Sequence, residues 1–345
     1  MKNESILCLD IGSGTQDALL YSPDAELANC PKFVLPSPAK RVAERIRGIT
    51  AKGRPIHLSG RNMGGGFADA LLEHMRAGFS VTASMAAAAA LHDDPERVRA
   101  MGVTFAEVCP SGAETIELGD FDPVFWRDFL DRLGLEMPRT VAVAAQDHGF
   151  HPSGNREGRM EMWRRFLSRD QGDPTALIYF EDAAPLTLTR LRAIQERSLG
   201  PVADSGAAAV LGALSMPELE RRSWREGITV LNAGNGHTLA FLVYQGRVWG
   251  VYEQHTAALT PESLARDLEE FRLGWLPDEV VRNAGGHGCA LSELPPEAEG
   301  FRPTFVLGPR RDSFPGAGKL IHPGGDMMLA GAYGLLYGIK SRQKS

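Results

Sequence analysis

The chain has few cysteines, and no two of them are close together in the sequence. Of its 345 residues four are cysteine, namely Cys8, Cys30, Cys109 and Cys289, and no CxxC spacing occurs. Iron–sulfur clusters and zinc sites built from thiolates usually need closely spaced cysteines. The sequence therefore excludes these usual frameworks, and we expect four separate reduced thiols, most of them buried.

Long apolar runs and an excess of positive charge are also missing. No apolar stretch approaches the roughly 18 residues that a membrane-spanning helix needs. Asp10 and Gly12 interrupt the short apolar run near the N-terminus, so no signal peptide is predicted. The formal net charge is -6, without a dense block of Lys and Arg, which argues against nucleic-acid binding. We therefore expect a cytoplasmic protein that binds neither membranes nor nucleic acids.

What the sequence does contain is an N-terminal hairpin pattern with a polar turn. Two apolar runs, residues 6–11 and 16–21, flank the sequence Gly12-Ser13-Gly14-Thr15, which is typical of a β-hairpin. Glycine lets backbone N–H groups approach an anion, and the two hydroxyls could donate to phosphate oxygens. Asp10, at the end of the first run, could hold a hydrated Mg²⁺. Alternatively, the glycines only make the turn.

A second stretch repeats this pattern some 220 residues further along the chain. Residues 228–233 and 238–244 predict two strands around a turn that contains Gly234-Asn235-Gly236-His237. Two such units suggest duplicated halves that face each other, which we place at residues 1–203 and 204–345. A chance recurrence of a glycine-rich hairpin is the alternative.

Two segments of small residues predict closely packed helices. Residues 205–213 are mostly Ala and Gly, and Asp204 precedes them, where it could cap the helix or face a cleft. Gly331, Gly334 and Gly338 lie three and four residues apart in the last predicted helix. Because side-chain size sets the distance between helix axes, we expect these two helices to cross closely.

The other segments predict alternating strands and helices, with a candidate substrate wall after the strand at residues 140–145. In open α/β sheets ligands gather at the carboxyl ends of strands, which favours Asp147 and His148. The polar stretch at residues 151–159 is either a substrate loop, with His151 and Asn155 as candidates, or a solvated connector. The alanine-rich residues 83–100 predict helix, with residues 93–95 as either a break or a new helix start.

Five of these stretches occur in the order found in the actin-like ATPase superfamily, which includes sugar kinases, hexokinases and heat-shock chaperones. Residues 10–17 and 232–238 resemble its two phosphate loops, residues 204–213 and 324–338 its two connecting helices, and residues 307–311 its adenosine-contacting turn. The resemblance implies an α/β fold of two actin-like ATPase (ribonuclease H-like) domains with a nucleotide cleft between them.

The same resemblance implies that ATP and Mg²⁺ bind in this cleft. Asp10 would orient the metal, and Asp204 would accept a proton from a substrate hydroxyl or a water, as the matching acid does in sugar kinases. Actin and the chaperones carry an acid where this chain has Asn232, so water activation of the chaperone type is not expected. The implied nucleotide contacts are Gly12, Ser13, Gly14, Thr15, Gln16, Asn232, Gly234, Asn235, Gly236, His237, Thr238, Gly308, Pro309 and Arg310.

Two functions stay open at this point. Asp204 favours a Mg-dependent phosphotransferase (kinase) or ATPase that acts on a small molecule. The lack of a recognisable sugar-binding motif favours an ATP-driven protein that remodels or reactivates a partner enzyme.

More narrowly, the sequence is similar to a prokaryotic family often labelled as a pyruvate-formate-lyase-activating enzyme. That label implies radical chemistry on an iron–sulfur cluster held by three close-set cysteines. The chain has no such trio, so we do not expect this activity from it.

Overall fold

A computed structural model describes residues 4–152, 154–181 and 183–343. In this part of the chain the strands, β1 to β16 in order, are Ile6–Ile11, Thr15–Tyr21, Lys32–Pro36, Ile56–Gly60, Val81–Ala83, Val103–Phe105, Glu114–Leu118, Thr140–Ala145, Ile178–Tyr179, Val202–Asp204, Ile228–Ala233, His237–Tyr244, Arg247–His255, Gly288–Leu291, Thr304–Leu307 and Lys319–Leu320. The α-helices there, α1 to α12, are Pro38–Ala51, Ala68–Arg76, Met85–Ala88, Pro95–Ala100, Pro123–Arg132, Asn155–Arg169, Thr189–Ser198, Ser205–Leu214, Pro217–Ser223, Pro261–Arg272, Asp278–Asn283 and Ala330–Arg342. None of these helices is both long enough and apolar enough to cross a bilayer.

The two six-stranded sheets share the topology of five strands and differ in the sixth, which is β9 at one edge of the first sheet and β14 at the opposite edge of the second. Their strand orders are β3-β2-β1-β8-β10-β9 and β14-β13-β12-β11-β15-β16. In each sheet three consecutive strands form an antiparallel meander, and the first of them also pairs in parallel with a later strand, β8 or β15. A further parallel strand, β10 or β16, follows at the next position. This repeated topology confirms the predicted fold class, two actin-like ATPase (ribonuclease H-like) units in an α/β chain.

A third, smaller sheet is inserted in the first half. Its order is β6-β5-β4-β7, and all of its neighbouring strands are parallel. The helix predicted over residues 83–100 forms as two short helices after β5, and the second begins at Pro95, where a new helix start is one of the two predicted alternatives. Ser84 caps α3, and Asp94 caps α4 with Pro95 in its first turn. Alanines 86–88 lie in α3, and strands β5 and β6 of the small sheet flank the two helices.

Helices α8 and α12 cross closely between the two large sheets, as predicted. An added Cβ at Gly334 would overlap the carbonyl oxygen of Ala208, and one at Gly212 would overlap that of Ala330. Helix α8 is buried on all sides, because Val210 packs into the core of the second sheet and Leu211 into the core of the first. The crossing therefore joins both cores.

We propose that the two domains meet in the chain at residues 203 and 204. The strands of the first sheet precede α8, and those of the second sheet follow it. The C-terminal helix α12 packs against the core of the first sheet through Leu335, Leu336 and Ile339. It would thus connect the second domain back to the first.

Candidate functional site

The two hairpin turns face each other across a cleft between the large sheets. An added Cβ at Gly14 would lie 2.8 Å from Nδ2 of Asn235, and one at Gly236 would lie 3.7 Å from Oγ of Ser13. Ser205 of α8 and Gly331 of α12 are among the residues that line the cleft, which has a volume of about 250 Å³. Each sheet thus contributes one turn, and the crossing helices form the floor.

Most residues that the resemblance assigns to nucleotide binding line this cleft. They are Gly12, Ser13, Thr15, Asn232, Gly234, Asn235, Gly236, His237, Gly308 and Pro309. Gly14 lies against Asn235 instead, and Arg310 is exposed outside the lining. The side chains of Gln16 and Thr238 point away into buried positions, where they bond to the Pro36 carbonyl and to Thr256.

Asp10 lies in the cleft, at the end of β1, against helix α12. An added Cβ at Gly331 would overlap the Asp10 carboxylate, so only glycine leaves room for it at that helix position. Burial, together with the nearby Asp204 charge, raises the pKa of Asp10 to about 7, although Arg190 opposes the shift. The group therefore gains or loses a proton close to neutral pH.

A second carboxylate, Asp17, faces Asp10 across the first hairpin. The two residues are direct partners in the β1–β2 register, and both line the cleft. Burial and the Asp10 charge raise the pKa of Asp17 to about 8. Its Oδ2 accepts a hydrogen bond from Thr15, whereas its buried Oδ1 has no partner among the described residues. The sequence analysis missed this pair, although the hairpin register alone places residue 17 opposite residue 10.

Asp204 caps the N-terminus of α8, as one of the two alternatives for this residue predicted. Its carboxylate is fully buried, and its Oδ1 accepts a hydrogen bond of 2.9 Å from the backbone N–H of Gly206. Arg159 of α6 donates to both of its oxygens. Asp204 is not among the residues that line the cleft, so the suggested role as a proton acceptor stays a prediction without a contact there.

The other candidate substrate residues separate into different environments. Asp147 anchors the start of α7, because it accepts hydrogen bonds of 2.9 Å from the backbone N–H groups of Gly149, Arg190 and Leu191. His151 lies 3.6 Å from Glu161 beside a separate cavity.

The predicted loop over residues 151–159 is wrong from Asn155 onward, where helix α6 begins. The side chain of Asn155 lies outside the described residues. The physical reason for the helix is the burial of its next turns: Arg159 and Trp163, four residues apart, both enter the core, with the guanidinium 4.6 Å from the centre of the indole ring.

His148 lines the cleft and belongs to a group of imidazoles that the sequence analysis did not assemble. His148 follows β8, His237 begins β12, and His287 precedes β14. The Nε2 atoms of His237 and His287 are 3.1 Å apart, and one ring nitrogen of each of the three lies within 4.8 Å of the others. Mainly because of burial, the pKa of His148 falls to about 3 and those of His237 and His287 to about 4. All three rings are therefore neutral at pH 7.

A buried ion network lies next to these histidines. Glu253 accepts hydrogen bonds from Arg159 and Trp163, each at 2.8 Å, and from Gln146 at 2.5 Å. Burial alone would raise the pKa of Glu253, but Arg159 and the neighbouring histidines lower it well below its usual range. Arg159 thus lies between two carboxylates, those of Asp204 and Glu253, and the three groups together carry one negative charge.

Sequence comparison places the chain near one family. A family model described as "Putative pyruvate format-lyase activating enzyme (DUF1786)" matches residues 63–313. No curated protein sequence matches the chain. Within the described ranges, the three histidines are the only group of at least three His, Cys, Asp or Glu side chains placed to hold a metal ion. No cysteine trio of the kind expected for radical iron–sulfur chemistry forms there.

Solved structures with which the chain can be aligned over nearly its whole length include three proteins. The first is the activator of the 2-hydroxyisocaproyl-CoA dehydratase from Clostridium difficile with bound ADPNP. The two sequences are 10% identical, the alignment covers 99% of this chain and 98% of that chain, and the TM-score is 0.33. The second is a ROK family glucokinase from Streptomyces griseus in complex with glucose and AMPPNP. It is 11% identical, the alignment covers 99% of this chain and 100% of that chain, and the TM-score is 0.33. The third is the ethanolamine utilization protein EutJ from Carboxydothermus hydrogenoformans. It is 8% identical, the alignment covers 97% of this chain and 89% of that chain, and the TM-score is 0.29. Because these TM-scores are low, the fold assignment rests on the strand topology of the chain itself.

Proposed function

The chain belongs to the DUF1786 family, whose model matches residues 63–313, and we propose that it binds a magnesium–nucleoside triphosphate in the cleft between its two large sheets. ATP is the expected nucleotide. One observation carries the proposal: a glycine-containing turn from each sheet meets the other directly beside the carboxylates of Asp10 and Asp17. Such turns present backbone N–H groups and hydroxyls to phosphate oxygens from two sides.

The first turn is held in place by the start of α1. Ser37, whose side chain is buried, donates through its backbone N–H to the Gly14 carbonyl at 3.2 Å and through its hydroxyl to the Ser13 carbonyl at 3.1 Å. Both carbonyls are thereby engaged in hydrogen bonds within the protein, which favours an anion in the cleft. Nζ of Lys40 lies 3.9 Å from the position of an added Cβ at Gly14 and supplies a positive charge beside the turn.

The paired carboxylates fit a magnesium ion in the chemistry of their donor atoms. Mg²⁺ prefers oxygen ligands and is usually bound by one or two carboxylates together with phosphate oxygens. The unpartnered buried Oδ1 of Asp17, next to Asp10, is an atom that such a cation would satisfy. A bound Mg²⁺ would supply charge neutralisation to the phosphates.

From this arrangement we propose phosphoryl transfer or hydrolysis of the bound nucleotide, with a small-molecule acceptor. Positioning and charge neutralisation supply most of the catalysis of such reactions. Gly308 and Pro309, after β15, line the cleft and would contact the adenosine.

A second candidate is an ATP-driven protein that remodels or reactivates a partner enzyme. It is favoured by the ion pair between Asp204 and Arg159, because a carboxylate held in this way has no free oxygen to act as a base for an acceptor. ATP turnover by the pure chain distinguishes the two candidates. A kinase needs an added acceptor for turnover, whereas a remodelling protein hydrolyses ATP slowly on its own.

Nucleotide binding can be tested by calorimetry with ADP and a non-hydrolysable ATP analogue, with and without Mg²⁺. Gly236→Asp should fold, because the nearest atom to its new Cβ is 3.7 Å away, yet it places a carboxylate beside the phosphates and should weaken binding at least tenfold. Gly48→Asp, the same change on the exposed side of α1 where no atom lies within 4 Å of the Cβ, should bind like the wild type. Wild-type chain that shows no binding at millimolar nucleotide, or equal affinity in Gly236→Asp, would overturn the proposal.

A further inference from the structure

Three imidazoles converge at the edge of the cleft from three separate segments of the chain. His148 comes from the first half, and His237 and His287 come from the second. A hydrogen bond between one N–H and one bare nitrogen could explain the 3.1 Å separation of the Nε2 atoms of His237 and His287. It does not explain the third ring, whose nitrogen also lies within 4.8 Å of both.

The 3.1 Å separation of the Nε2 atoms of His237 and His287 is also close to the distance between two nitrogen ligands of one metal ion. Imidazole nitrogens at about 2.0–2.1 Å from a tetrahedral Zn²⁺ are about 3.3 Å apart. Histidine binds metals through a neutral ring, and burial, which lowers the pKa of all three rings, favours that form.

The surroundings of the three rings favour a cation. The network of Asp204, Arg159 and Glu253 has one negative charge in excess and is fully buried. Glu253 belongs to β13, and its backbone carbonyl accepts a hydrogen bond of 3.1 Å from the backbone N–H of His287, so the excess charge is fixed next to the imidazoles.

We propose that His148, His237 and His287 form a binding site for a first-row divalent transition metal of the Zn²⁺ class. Three nitrogen ligands leave a fourth position open, and because His148 and His237 line the cleft, that position would be open to a water or an anionic oxygen there. The site is distinct from the carboxylate pair of Asp10 and Asp17, since Mg²⁺ prefers oxygen and Zn²⁺ accepts nitrogen.

The test uses the full chain without a histidine tag, first stripped with a chelator and then titrated with Zn²⁺ in competition with a chromophoric chelator. We expect about one Zn²⁺ per chain, and a tenfold excess of Mg²⁺ should not displace it. Replacement by Co²⁺ should give the intense visible absorption of a tetrahedral site, a measurement that needs no variant.

His287→Ala and His148→Ala should each weaken Zn²⁺ binding at least tenfold, and circular dichroism checks that each variant is folded. His92→Ala is the matched control, because His92 lies outside the group and its Nδ1 accepts a backbone hydrogen bond from Asp94. Substoichiometric binding by the wild type, displacement by Mg²⁺, or wild-type affinity in both folded variants would overturn the proposal and leave a hydrogen-bonded imidazole cluster. Nucleotide affinity is measured separately, so failure of this site does not affect the test of nucleotide binding.

Discussion

At the scale of single residues, Arg159 connects more of the molecule than any other side chain described above. From α6 it reaches Asp204 at the start of α8 and Glu253 on β13, and its own side chain is fully buried. The two carboxylates come from different sheets. This one guanidinium therefore ties the first half of the chain to the second.

We expect Arg159→Met to lower the free energy of unfolding by about 3–5 kcal/mol, because it leaves two buried carboxylates without their cation. Arg165→Met on the same helix is the control: its exposed salt bridge with Glu161 should contribute less than about 1 kcal/mol. Urea denaturation measures both. A loss below 1 kcal/mol in Arg159→Met would show that the network is not what holds the halves together.

The raised pKa of Asp10 predicts a pH dependence of stability in the absence of metal. Between its ordinary value of 3.8 and about 7 the folded state binds more protons than the unfolded state, so this group lowers stability as the pH rises through that window. Asp10→Asn removes the effect and should be more stable than the wild type, with a gain that grows from pH 5 to pH 8 to at most about 4 kcal/mol.

Melting temperatures in a chelating buffer at both pH values test this expectation. Asp312→Asn, at a side chain that is 79% exposed, should give no such pH-dependent difference. A gain for Asp10→Asn that is the same at pH 5 and pH 8 would contradict the assigned shift.

The sequence predicted only part of the site, for a physical reason that these residues illustrate. Asp10 and the glycine-rich turns are local patterns, so the hairpins that carry them could be found from spacing alone. Arg159 and His287 acquire their partners only when helices and strands far apart in the chain come together. No local periodicity encodes such contacts, and the segment around Arg159 was therefore predicted as a loop.

At the scale of elements, the sequence predicts the boundaries of a strand or helix correctly where residues within that element decide its structure. Strand β8, for example, begins and ends at the predicted residues, 140 and 145. The alanine-rich residues 83–100 form two short helices, because this segment is the connection between strands β5 and β6 of the small parallel sheet.

The crossing of α8 and α12 gives a prediction at this scale. An alanine at a helical position normally stabilises by about 0.5–1 kcal/mol over glycine. Gly334→Ala should instead destabilise by about 1–3 kcal/mol, since its Cβ would overlap the Ala208 carbonyl and the helices would have to separate. Gly48→Ala in α1, with no atom within 4 Å of the Cβ, should show the ordinary stabilisation. Denaturant midpoints compare the two, and equal gains would mean that the crossing tolerates a wider separation.

At the scale of the whole molecule, the two turns narrow the cleft. Its volume of about 250 Å³ is below the usual range of about 300–1,000 Å³ for ligand pockets, and the turns lie close together across it. A nucleotide would therefore enter only after the sheets separate about the crossing helices.

A disulfide that locks the two turns together tests whether nucleotide entry requires the sheets to separate. In the double variant S13C/G236C, a disulfide between the two turns is within reach, because the Cβ at position 236 would lie 3.7 Å from the Ser13 Oγ that sulfur replaces. We expect the oxidised form to bind nucleotide at least tenfold more slowly than the reduced form, measured by stopped-flow fluorescence. The single variants under the same oxidation control for side reactions, and rapid binding by the oxidised double variant would show that entry needs no opening.

The burial of α8 on both of its faces has a consequence for how the chain can be divided. This helix has no charged side chain, and its residues 206–214 are all buried, some against each sheet. Helix α12 follows the second sheet in the chain yet covers the first. Fragments 1–203 and 204–345 would each be produced with an uncovered apolar surface. We therefore expect the two topological repeats to unfold as one cooperative unit, and the separate halves to suit a split-protein reporter that assembles only when both are present.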